Sequence, residues 1–121
     1  MEKEDKELLL KDLCARLHFG VHVNYKNVED KEGIIMLNPY NIQHVYSGWW
    51  KKYKPYLRPM SSMTEEEKVE YCDLQDKFLL SSQYPVTCGY ALFDWLNAHH
   101  FDYRRLIEKG LAIEAPEGMY K

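Results

Sequence analysis

Leu10, Leu13, Cys14 and Leu17 recur at i, i+3, i+4 and i+7, with Leu9 beside them and Lys6, Lys11, Asp12 and Arg16 in between. That spacing predicts an amphipathic helix over residues 5–17, with Gly20 just past its end. The period then shortens. Val21, Val23 and Tyr25 alternate with His22 and Asn24 as in a half-buried strand, and the polar run NVEDKEG turns the chain into IIML, which predicts a hairpin. After the turn-forming NPYN at 38–41, IQHVYS at 42–47 reads as a third strand, with Ile42, His44 and Tyr46 on one face and Gln43 and Val45 on the other.

Pro55 and Pro59 fix their own φ and restrict the residues before them, so KPYLRPMSSM is expected to be an extended or singly turned connector, neither a regular helix nor a central strand. A sharper signal follows. Thr64-Glu65-Glu66-Glu67 is a capping box and opens a helix running to about Leu80. The linker SSQYPV leads to Thr87, which can cap CGYALFDWLNAHH, a segment with Cys88, Leu92, Trp95, Leu96 and His99 on one face. Asp102 can cap a short helix YRRLIEK closed by Gly110, and LAIEA alternates as a last strand. The expected architecture is α+β in a single domain, 1–121: an N-terminal helix, a small mostly antiparallel sheet from about 20 to 47, then helices and a C-terminal strand. Leu10, Leu13, Leu17, Val21, Val23, Ile35, Leu92, Trp95, Leu96 and Ile113 are the inward positions of these periods and should form one core.

With 121 residues and 45% hydrophobic content, the chain can bury one core. A formal charge of -3 gives no global basic field for polyanions. Cys14, Cys72 and Cys88 stand far apart without a Cys-x-x-Cys pair, which points to free thiols in a reducing compartment. The charged start MEKEDKELLLKDL is unlike an export signal, and no apolar run approaches the roughly 20 residues of a membrane span. A cytoplasmic chain that makes no membrane contact is expected.

One window departs from the acidic background. GWWKKYKPYLRP, 48–59, interleaves Trp49, Trp50 and Tyr53 with Lys51, Lys52, Lys54 and Arg58 and contains no acidic residue. Aromatic faces can stack on bases while the cations neutralise phosphates, which is one reading. The other is a connector anchored by one tryptophan, whose exposed side meets a protein, since Trp, Tyr and Arg are favoured at binding hot spots. In an extended chain Trp49 and Trp50 face opposite ways, so at most one joins a surface with Tyr53.

The other constellations favour structural roles. His99, His100 and Asp102 cluster, but Cys88 lies eleven residues before His99, about 16 Å by helical rise, whereas zinc ligands sit about 2 Å from the ion. The histidines are better suited to the helix's C-terminal carbonyls, and no metal or cofactor is expected. Cys88 in a first helical turn would have a lowered thiol pKa, yet no base is identifiable beside it. Glu65, Glu66 and Glu67 complement a helix dipole. The outline from Thr87 to Ala115 resembles a winged helix-turn-helix, but YRRLIEK is barely two turns long and needs Leu106 and Ile107 for packing.

The pieces KDLCARL, KPYLRPMSSMTEEEK and FDWLNAHHFDYRRLIEKGLAIEAPEGMY resemble a family of short uncharacterised proteins encoded on prophages and other mobile elements of gut anaerobes. The resemblance carries over no catalytic residue. It implies a small accessory protein of a bacterial cytoplasm, where such genes often encode inhibitors, adaptors or regulators. The expected function is therefore a non-catalytic protein-interaction module whose partner surface comprises Trp49, Trp50, Lys51, Lys52, Tyr53, Lys54 and Arg58. The partner is an unidentified protein, and a homo-oligomer is compatible with the same features. The alternative is a nucleic-acid-binding regulator using 48–58.

Overall fold

The computed structural model describes residues 3–80 and 85–120, with side chains described at all of these except 78–80 and 85–90. Helix α1 spans Lys3–Arg16 and runs into a 3-10 turn at Leu17–Phe19. Its buried stripe is Leu9, Asp12, Leu13 and Arg16, each 0% exposed. That is the expected helix rotated by one residue, with Cys14 exposed and Leu10 only half-buried. The two charges on that stripe are paired with each other, Arg16 Nε donating to Asp12 Oδ2 at 2.8 Å.

Strand β1, His22–Asn27, forms the expected hairpin with β2, Glu32–Met36. The Asn27 side-chain oxygen accepts from the amides of Glu29 and Lys31, and Asp30 adopts φ +62°, a conformation Asp tolerates in tight turns. The third strand expected at 42–47 is instead a single helical turn, α2, Gln43–Tyr46. Asn38 and Asn41 each accept the other's amide at 2.8 Å and close the chain into that turn. Ile42 and Val45, three apart, then pack on the core while Tyr46 faces water.

The third strand lies further on. β3, Trp50–Leu57, takes in the first part, 54–57, of the segment expected to be a connector, and β4, Ile113–Glu114, completes a sheet of order β2-β1-β3-β4. β3 is antiparallel to β1 and parallel to β4. A proline is tolerated inside it because of its direction. The Leu57 carbonyl accepts from Ala115 N on the β4 side, so Pro55, two residues earlier, points its nitrogen the same way, away from β1. Pairing with β4 begins only at Tyr56, so no hydrogen bond is lost at Pro55.

After a 3-10 turn at Met60–Ser62, α3 runs Glu65–Leu80 and α4 runs Pro85–Ala98. The capping box forms as expected, with Glu67 N donating to Thr64 Oγ1 at 3.2 Å and Thr64 N to Glu67 Oε1 at 2.9 Å. α4 begins at Pro85, two residues before Thr87, so Thr87 lies inside the helix rather than at the cap expected there, and the Cys88 side chain lies outside the described residues. Residues 103–110 form successive turns rather than a helix, broken where Arg105 adopts φ +59°. Asp102 still accepts amides as a cap would, from Leu106 at 2.8 Å and Ile107 at 2.9 Å.

The expected single core is two clusters. Leu9, Leu13, Val21, Val23, Trp50, Leu57 and Leu106 belong to one, with Leu17 and Ile35 at its margin; Met63, Leu92, Leu96 and Phe101 form the other, with Trp95 at its margin. Leu10 and Ile113 are half-buried. A polar bridge joins the clusters: Arg16 Nη2 donates to the Phe101 carbonyl at 2.7 Å, and Arg104 reaches Asp12 Oδ1 at 3.0 Å.

Candidate partner-binding surface

The sheet's inner face packs against the core, and alternation along each strand leaves an open outer face. On β2 it carries Glu32, Ile34 and Met36; on β1, His22, Asn24 and Lys26; on β3, Lys52, Lys54 and Tyr56. Register places these in rows. Glu32, Lys26 and Lys52 form one, and Ile34, Asn24 and Lys54 form the next. Lys26 is 3.6 Å from Glu32, but among the described residues neither Lys52 nor Lys54 has an acidic partner. Ile34 and Met36 are 56% and 45% exposed, so the face runs from apolar at β2 to cationic at β3.

The residues of the aromatic and basic window separate. A register shift between Lys26 and Asn27 bulges β3 near Lys51, which lets Trp50 and Tyr53 both turn inward. Trp50 is 4% exposed and stacks on Tyr25 with centroids 4.9 Å apart, so it anchors the sheet to the core. Trp49 is the exposed member of the pair, at 37%. Tyr53 is half-buried, and burial raises its phenol pKa. Lys51 pairs with Asp30 and lowers that carboxyl's pKa. Among the described residues, Lys52 and Lys54 stand on the open face without an acidic partner.

Arg58 is bound within the fold. Its guanidinium holds Glu67 through two bonds of 2.8 and 2.7 Å and lies 4.2 Å over the Phe101 ring. The pair drives the Glu67 carboxyl down to about 2, chiefly through the guanidinium, aided by the Thr64 amide and against burial. Arg58 thus ties the end of β3 to the start of α3.

The chain's last described residues close one end of the face. The Tyr120 hydroxyl accepts from His22 N at 2.8 Å and donates to the Tyr56 carbonyl at 2.7 Å, and its ring stacks on His100 at 3.7 Å. Burial pushes this phenol up to about 12. His100 caps α4 in a left-handed conformation, φ +65°, with its amide on the Asn97 carbonyl while Phe101 N reaches Leu96. Burial, reinforced by the nearby charges of Arg16, His22, Arg58 and His99, lowers its imidazole to about 4. His99 serves the helix end as expected, its Nδ1 meeting the Trp95 carbonyl at 2.8 Å. A cleft of about 420 Å³ between His22, Met36, Glu67, His100 and Tyr120 adjoins the open face.

Among the described residues no group of three His, Cys, Asp or Glu side chains is placed to hold a metal ion, and no described helix is long and apolar enough to cross a membrane. Cys14 and Cys72 are exposed free thiols. No protein-family model, curated protein or solved structure matches the chain.

The open face depends on residues outside the window. Ile34 and Met36 follow from the predicted hairpin, whose inward position at Ile35 puts them on the outer face. Tyr120 carries no local signal, because its partners lie 98 and 64 residues away.

Proposed function

We propose that the protein is a non-catalytic protein-interaction module, an accessory, regulatory or inhibitory factor of a phage or mobile element acting in a cytoplasm. The observation that carries this reading is the pair of exposed lysines, Lys52 and Lys54, side by side on an open sheet face bordered by Ile34 and Met36. A surface that is apolar on one side and cationic on the other suits an acidic protein with an apolar contact patch. Three carboxylates are already committed inside the fold: Asp12 to Arg16 and Arg104, Glu67 to Arg58, and Asp102 to two amides. That favours binding over catalysis.

Nucleic acid is the second reading, favoured by the lysine row with Asn24 beside it. It is weakened because Trp50 is stacked inside and Arg58 is held by Glu67, which leaves Trp49 as the exposed tryptophan of the window. Affinity purification from the native host after nuclease treatment, comparing wild type with Lys52→Glu/Lys54→Glu, tests the choice. A partner protein retained by wild type and lost by the folded double variant is expected. Tight binding to single-stranded DNA or RNA, with a log-log salt slope of about -0.7 to -0.9 per phosphate that the same variant flattens, would replace this reading with the second.

A further inference from the structure

We propose that β2 is the seam of a homodimer, in which the β2 strands of two copies pair antiparallel about a two-fold axis at Ile34. The hydrogen-bonded rungs of the hairpin define which groups are free. Leu37 N donates to the Val21 carbonyl at 2.8 Å, and Asn27 N donates to the Lys31 carbonyl at 3.0 Å. Alternation from either end assigns Gly33 and Ile35 to β1 and turns the main-chain N–H and C=O groups of Glu32, Ile34 and Met36 outward. Among the described residues no strand pairs with that edge, and the Met36 carbonyl alone has a contact there, from Asn41 Nδ2 at 3.3 Å.

Exposed edges are commonly protected by lysine, proline or a bulge. EGIIM has none of these, and it sets Ile34 and Met36 on its open side. The strand is also complementary to itself. Centred on Ile34, all five residues pair: Ile34 meets its own copy, Glu32 lies opposite Met36 of the second copy, and Gly33 lies opposite Ile35 of the second copy. The last pair sets a bare backbone against a bulky side chain on the inner face, where Tyr25 already fills the space beside Gly33. Moving the axis to Ile35 would run Glu32 past the strand end, opposite Asn38. Lys26 lies one strand from the seam and Lys52 and Lys54 lie two, so no like charges are opposed across it. Such pairing is isologous and closes at two copies, joining the two sheets with both open faces on one side. It uses the strand edge and does not rest on the partner-binding reading.

Sedimentation across the micromolar range, with circular dichroism on every variant, tests the seam. Wild type should be a dimer that dissociates on dilution, and hydrogen exchange at the Ile34 amide should slow as concentration rises. Ile34→Lys and Ile34→Glu, at an exposed position, should each keep the fold yet weaken dimerisation roughly a hundredfold or more by opposing like charges on the axis. Mixed in equal amounts, the two variants should recombine as a heterodimer. A wild-type chain that stays monomeric, with the edge bare or taken by another protein's strand, overturns the proposal. So does a dimer indifferent to Ile34→Lys, or a mixture that fails to recombine. Concentration-independent exchange at Ile34 overturns it without recourse to any variant.

Discussion

Two arginines and two lysines of this chain carry the same charge to opposite ends. Arg16, fully buried, is gripped by Asp12 and the Phe101 carbonyl, and Arg58 is forked onto Glu67, whereas Lys52 and Lys54 stand on the open sheet face with no acidic partner described. A guanidinium offers a planar fork that can satisfy several acceptors at once and is weakly hydrated, so it can be taken into the interior to fasten elements together. An ammonium is compact and strongly hydrated and stays at the surface. The cationic character of the 48–59 window is therefore not one property. Its arginine is part of the scaffold, and two of its lysines are available to a partner.

The sharpest way to break this contrast is Asp12→Ala, which leaves the Arg16 guanidinium buried without its carboxylate and removes the anchor of Arg104. A loss of about 3–5 kcal/mol in urea denaturation is expected. A loss below about 1 kcal/mol would mean that Arg16 is hydrated in solution and that the bridge between the two clusters carries little stability.

Glu67→Gln comes next, with an expected cost of about 1–3 kcal/mol at neutral pH for weakening a charge-assisted pair. It also has a signature in pH. A carboxylate depressed from 4.5 to about 2 contributes fully above about pH 4.5, and its contribution is lost as pH falls through 2. His100 acts in a higher window. Its imidazole is lowered from 6.5 to about 4, so the unfolded chain takes up the proton first and stability is lost as pH falls from 6.5 to 4. Melting curves taken from pH 7 to 2 should therefore decline in two stages. Glu67→Gln should flatten the lower stage and His100→Asn, which tolerates the left-handed conformation, the upper one.

Lys52→Ala/Lys54→Ala should change stability least, by within about 0.5 kcal/mol, because these side chains hold nothing in place. A larger loss would place the lysines with the arginines as structural groups and remove the contrast.

Much of the secondary structure was legible where the signal is local. The capping box and the β1–β2 hairpin need only neighbours within a few residues, and both form as read. Two of the misreadings turned on a partner far along the chain. Positions 9, 12, 13 and 16 have the same helical spacing as 10, 13, 14 and 17, but two of them are charged, and only Arg104 and Phe101 make burial of that face favourable. Pro55 reads as a veto on a central strand until the extent of β4 is known. Alternation at 42–47 fits a strand and a helical turn about equally, and the reciprocal bonds of Asn38 and Asn41 decide between them. The cationic window was visible from charge alone. Its division into held and free cations was not, since Glu67 is nine residues from Arg58 and Asp30 is twenty-one from Lys51.

The bridge from Asp12 and Arg16 to Arg104 and Phe101 spans 92 and 85 residues of chain. During synthesis α1 emerges well before the groups that pair with and cover its buried face. Until then Leu9 and Leu13 have no complete core, and the two charges have no reason to leave water. Contacts of such sequence separation close long loops and slow folding.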